Sequence, residues 1–280
     1  MREIEFEVFG RTLRALSSGE VGQPPMLALH GWLDNAASFL PLARLLPEFH
    51  IVALDMAGHG QSAHRSADGE YNIWSDLPDI QAVADQLGWE SFRLLGHSRG
   101  AIVASLFAAA LPQRVRQLAL LDAVLSRSVE ASDCMIQMAD FLSDKSRLLD
   151  KQSRVFKQIA DAVAIRERKG LSAQAAQLIA ERNLRQTDGG WCWSMDARLQ
   201  GASALKLTEA HNQAILAGLS MPVLLLLAEQ GFVKEHPQLG PLPESICVET
   251  VPGGHHCHME ESAQLIADRL RQLFLAESDA

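Results

Sequence analysis

A serine set between glycines, Gly96-His97-Ser98-Arg99-Gly100, separates two apolar runs, residues 92–95 and 101–111. The first run suits a buried strand, and the second, longer one suits a helix lying on a sheet. The serine therefore stands where a strand turns sharply into a helix, and the flanking glycines permit the close approach and strained dihedrals of such a turn. This junction lifts a hydroxyl out of the sheet, within reach of a base, while the following N–H groups face any negative charge that develops there. The pattern alone recurs by chance, so its context decides.

The surrounding rhythm narrows the choice. Alternation over residues 2–9 and 11–16, broken by Gly10, predicts an antiparallel hairpin at a sheet edge. Continuous apolar segments follow at 26–29, 51–54, 92–95, 115–121 and 222–228, as expected of strands covered on both faces. Helix-like stretches at 37–46, 75–87 and 101–111 lie between them. Repeated strand-helix-strand units make the chain α/β with a mostly parallel sheet.

Between residues 125 and 220 strand-like runs nearly vanish, and charged and apolar residues mix at helical spacing. Helices are predicted over 136–149, 153–168 and 173–184, followed by a turn and a short extended piece over 188–196. Strand and helix resume with 221–228, 246–251 and 261–275. The expected division is a core of 1–124 and 221–280 interrupted by a helical insertion, 125–220.

Composition sets the outer bounds. The 280 residues are 48% hydrophobic with a net charge of −9, and the scattered Lys and Arg form no basic stripe, which argues against nucleic acid as a partner. No apolar run approaches a membrane span. The amino terminus alternates charged and apolar residues, unlike a secretory signal, so a cytoplasmic protein with four reduced cysteines is expected.

Ser98 needs a base, and the dense histidine cluster is Gly253-Gly254-His255-His256-Cys257-His258, between the last predicted strand and helix. His255 is preferred because it directly follows the glycine pair, where the loop can turn back over the sheet. His258 is expected to start the final helix and His256 to be solvated. A metal centre here is disfavoured, since neighbouring residues cannot converge on one ion without partners elsewhere. For an oxyanion hole the expected donors are the backbone N–H groups of Arg99 and Trp32, the latter following the apolar strand that ends in His30-Gly31. Asp122, at the end of the 115–121 strand, is the preferred acid, with Glu229 the alternative. Asp55, after the 51–54 strand, is read as a structural acceptor of loop N–H groups and His30 as a loop pin.

With these segments in this order, the chain resembles α/β-hydrolase fold proteins from end to end. More narrowly, His30-Gly-Trp-Leu-Asp-Asn-Ala-Ala-Ser-Phe39, Gly96-His-Ser98 and Leu120-Leu-Asp122 resemble the serine hydrolase-like group. The resemblance implies an eight-stranded sheet, a helical cap over the site, no cofactor, and attack by Ser98 on an acyl carbon of a small substrate. Relatives often carry the acid after the strand that follows the cap. This chain has Glu229-Gln-Gly-Phe232 there, and no Asp. The implied reaction is hydrolysis of a carboxylic ester through an acyl-enzyme. Thioesters, lactones, C–C bonds, perhydrolysis and non-catalytic ligand binding stay open on the same residues.

Overall fold

The computed structural model describes residues 1–149, 151, 153–235 and 242–275. Its first two strands, β1 (Arg2–Val8) and β2 (Arg11–Ser18), pair antiparallel across Phe9-Gly10, both at positive φ. Then come β3 (Pro25–Leu29), α1 (Leu40–Leu45), β4 (His50–Leu54), α2 (Leu77–Gln86), β5 (Phe92–His97), α3 (Arg99–Ala110) and β6 (Val115–Leu121). Short 3-10 turns lead into α1 and α2, each of which has proline in its first turn, where the missing N–H costs nothing.

Within 125–220 lie α4 (Cys134–Leu149), β7 (Val155–Phe156), α5 (Ile159–Glu167), α6 (Ala173–Arg182), β8 (Leu184–Thr187), β9 (Gly190–Trp193) and α7 (Glu209–Gly218). The chain closes with β10 (Val223–Gln230), the single turn α8 (Phe232–Glu235), β11 (Ile246–Gly254) and α9 (Ala263–Leu275).

One sheet organises all of this. Its eight strands run in the order β1-β2-β4-β3-β5-β6-β10-β11, antiparallel at β1-β2-β4 and parallel beyond. All residues of β4 and β5 are buried, as strands covered by helices on both faces must be. On one face α2, α3 and α7 close a core around Ile80, Phe107 and Leu216. On the other, α1 and α9 close a second around Leu42, Ile266 and Phe274. Gly100 allows α3 to lie against β3, because any Cβ there would overlap the Leu29 carbonyl.

The insertion departs from its sequence reading. Residues 153–168 do not form one helix: β7 comes first, and α5 starts at Ile159 with a capping box between Gln158 and Asp161. Phe156 pairs with Trp191 across an antiparallel sheet, β7-β9-β8, and sits edge-on to Trp193. The spacing of Val155, Phe156, Ile159 and Val163 fits a helical period, yet burying Phe156 between strands prevails over it. Likewise Leu184 belongs to β8 and not to the preceding helix.

Candidate active site

Ser98 is the turn between β5 and α3. Its φ of 53° and ψ of −120° lie outside the ordinary regions for a side-chain-bearing residue. The backbone is held there by a hydrogen bond from Ser98 N–H to the Leu121 carbonyl (2.9 Å), which extends the β5-β6 pairing. Gly96 and Gly100 both stand where a Cβ would overlap backbone.

Three side chains meet above this turn. His255 Nε2 is 2.9 Å from Ser98 Oγ, and His255 Nδ1 is 2.6 Å from Asp122 Oδ2. Asp122 is fully buried at the end of β6 with φ 50°, and its carboxylate also accepts N–H from Ala228 (3.1 Å) and Phe232 (2.7 Å). Because β6 pairs with β10, these donors come from the end of the neighbouring strand. Gly231 completes the fit: a Cβ there would overlap the Asp122 carboxylate. Glu229, the alternative acid, is exposed on β10. The structure thus brings Ser98, His255 and Asp122 together, and Glu229 is not among them.

Arg99 opens α3, where the first N–H groups have no carbonyl within the helix to bond. Its guanidinium pairs with Asp76 at 2.7 Å. Trp32 is half exposed, and its indole N–H donates to the Leu199 carbonyl (2.8 Å). The loop carrying it presses on the serine turn: a Cβ on Gly31 would stand 3.0 Å from His97 Nδ1. His30 pins this loop, its Nδ1–H donating to the Gly31 carbonyl (2.8 Å) while Nε2 accepts the Met56 N–H (3.0 Å). Asp55 accepts N–H from Ala36 (2.7 Å) and Gln61 (2.9 Å) and pairs with Arg182 (2.9 Å), a wholly structural set of partners.

His256 and His258 differ from their sequence reading. His256 is no solvated helix start; its Nε2 is 3.0 Å from Asp34 Oδ2. Burial lowers its pKa, but the Asp34 charge and hydrogen bond outweigh that and raise it overall. His258 lies fully buried in a 3-10 turn before α9, where desolvation and the adjacent His256 push it down to about 3. His97, also fully buried, donates Nε2–H to the His255 carbonyl (2.8 Å); desolvation and three neighbouring histidines hold its pKa well below the usual value. Asp34, His97 and His256 each offer one ligand atom, all within 4.8 Å of one another. Sequence reasoning missed Asp34 and His97, whose only signal is their place beside Trp32 and Ser98. Among the described residues no helix is long and apolar enough to cross a membrane.

A strained serine at a strand-helix turn, bonded to a late histidine above a mostly parallel sheet, defines a class of protein, and the comparisons agree. The family model for the alpha/beta hydrolase fold matches residues 24–262. Serine hydrolase-like protein 2 of Homo sapiens is 30% identical over 290 residues, covering 92% of this chain and 90% of that one. The serine hydrolase-like protein of Danio rerio is 29% identical over 265 residues, covering 88% and 81%. The chain belongs to the α/β-hydrolase fold superfamily and, within it, to the serine hydrolase-like group. Among solved structures, a hypothetical protein from Pseudomonas aeruginosa PAO1 is 40% identical with a TM-score of 0.91, covering 99% of both chains. A thioesterase domain from the curacin biosynthetic pathway is 25% identical with a TM-score of 0.83, covering 98% of this chain and 99% of that one.

Proposed function

We propose that the protein hydrolyses a carboxylic ester of a small molecule through a Ser98-His255-Asp122 triad and an acyl-enzyme. One observation carries the reading: the hydrogen-bond chain from Ser98 Oγ through His255 to the buried Asp122 carboxylate, at 2.9 and 2.6 Å. Asp122 accepts the Nδ1–H of His255, which leaves the lone pair of Nε2 directed at Ser98 Oγ. As Oγ attacks the acyl carbon, its proton passes to Nε2 and the carbonyl oxygen becomes an oxyanion. The backbone N–H groups of Arg99 and Trp32 receive that charge, each worth about 3 kcal/mol of barrier. Protonated His255 then gives its proton to the leaving alcohol as the C–O bond breaks. Water attacks the acyl-enzyme with His255 as base, releasing the acid and restoring Ser98.

The insertion 125–220 serves as a cap in this reading. A cleft of about 510 Å³ runs between the loop after Asp122 and the turn before α2, with Ile73, Trp74, Val129, Leu205 and Leu207 as its apolar wall. Arg127, Glu130, Asp133 and Lys206 line the same cleft, so it accommodates a polar group beside an apolar one. The setting is cytoplasmic, in keeping with four unpaired cysteines. A thioester is the second reading, favoured by likeness to the curacin thioesterase domain over nearly the whole chain.

A fluorophosphonate probe tests the nucleophile. Wild type should be labelled at Ser98 and Ser98→Ala should not; an unlabelled, folded wild type sinks the proposal. Matched oxygen esters, thioesters and lactones of graded acyl length then rank the substrate classes by kcat/KM, and preference for the thioester at every length would replace the first reading with the second.

A further inference from the structure

The cluster behind His255 leaves His97 Nδ1, a buried ring nitrogen, without a hydrogen-bond partner among the described residues. A backbone carbonyl only accepts, so the 2.8 Å contact from His97 Nε2 to the His255 carbonyl places the His97 proton on Nε2. Nδ1 of the neutral ring then carries a lone pair, and it lies 3.9 Å from Asp34 Oδ2. Nδ1 is fully buried and has no hydrogen-bond partner among the described residues. A lone pair and a carboxylate oxygen thus face one another across 3.9 Å. His256 Nε2–H donates to the same oxygen at 3.0 Å, and an ion bound there would release that proton to solvent. His258, its ring centroid 4.2 Å from that of His97, leaves both ring nitrogens buried and unpartnered in the same patch.

We propose that Asp34, His97 and His256 form a binding site for one borderline divalent transition-metal ion of the Zn²⁺ type. Zinc bound tetrahedrally to imidazole nitrogen and carboxylate oxygen at about 2.0–2.2 Å places its donor atoms about 3.3–3.5 Å apart. The two separations to Asp34, 3.0 and 3.9 Å, bracket that spacing, and all three donor atoms lie within 4.8 Å of one another, so the two imidazoles close by up to about 1.4 Å to share one ion. Two imidazoles and one carboxylate select zinc, cobalt or nickel over magnesium or calcium, which take all-oxygen sites. Arg166, with its guanidinium 3.8 Å from Asp34 Oδ1, opposes the ion's charge and holds the affinity below that of a dedicated structural site. Asp34 follows Trp32 by two residues, His97 ends β5 just before Ser98, and His256 follows His255, so one ion ties together three segments that carry the candidate active site.

Co²⁺ titration of tag-free, chelator-treated protein tests the site without reference to activity. The expected result is one equivalent bound, with the visible bands of four-coordinate Co²⁺, displaced by Zn²⁺. Affinity should fall at least about tenfold in Asp34→Asn and in His256→Gln and stay unchanged in His64→Gln, a control at an exposed histidine. Zn²⁺ should raise the Tm of wild type and not of His256→Gln, whose half-buried position keeps the test usable if Asp34→Asn fails to fold. A folded wild type without the Co²⁺ bands overturns the proposal. So do bands that survive in His256→Gln, or that disappear in His64→Gln.

Discussion

The sheet core and the segment from α4 to β9 are held by different balances of force. In the core, β3 to β6 bury their side chains on both faces, and two apolar clusters account for the cohesion. Apart from α7, which packs into the core cluster, the segment from α4 to β9 has only small apolar clusters, shared with Leu33 and Met259, and is fastened further by directional polar ties. Arg182 reaches Asp55 and Glu3, and Asn183 bonds Gly60 N–H and the Leu33 carbonyl. Asn35 bonds the Ile179 carbonyl, and Tyr71 donates to Asp196. Apolar burial is nondirectional and sets how much of the chain collapses; buried hydrogen bonds fix where a segment sits, because a slipped register leaves donors and acceptors unpaired.

Substitutions in the two regions put that contrast at risk. The largest effect belongs to the core: Phe107→Ala should remove about 3–5 kcal/mol, read as a lower urea midpoint with unchanged slope. Arg182→Met should cost about 3 kcal/mol by leaving Asp55 short of its charge partner. If it is silent, the insertion is held like the core and the contrast fails. Asn183→Ala removes one acceptor and one donor from buried partners, and a loss of about 1–3 kcal/mol in the same assay is expected.

Asp196 gives a pH-dependent tie. Burial raises its pKa, but hydrogen bonds from Arg198 and Tyr71 outweigh that and hold it below the usual value. Stability from a depressed carboxyl is complete above its unfolded pKa, near 3.8, and is lost as pH falls through the folded value. The stability gap between wild type and Asp196→Asn should therefore be flat above about pH 5 and shrink below about pH 4. Smallest of all, Glu5→Gln, at the solvated Arg14–Glu5 pair on the hairpin, should change stability by less than about 1 kcal/mol.

The same contrast governs what the sequence discloses. Strands buried on both faces are written as unbroken apolar runs, so β3, β4, β5, β6 and β10 are legible. The insertion is not, because Val155 and Phe156 obey a helical spacing while their pairing with Trp191 and Cys192 is set by residues far along the chain. In the candidate site, Ser98 and His255 carry local signatures, a glycine-flanked turn and a glycine-ended strand. No local pattern decides between Asp122 and Glu229; the β6-β10 pairing turns the end of β10 toward Asp122, and Glu229 faces solvent. The grouping of Asp34, His97 and His256 is hidden for the same reason, since its members come from two loops and the end of β5, far apart along the chain.

The fit between Gly231 and Asp122 constrains the routes by which this site can change. A side chain at 231 is admissible only once residue 122 has been shortened, and shortening 122 first removes the carboxylate bonded to His255. On the proposed triad, any path that moves the acid from the end of β6 to the turn after β10 crosses a chain with no acid there, or one with two groups in a single space. The two positions behave as one character. A library that randomises them singly will record only losses, while the Asp122→Ala, Gly231→Asp pair made together is the smallest step that leads to the other arrangement.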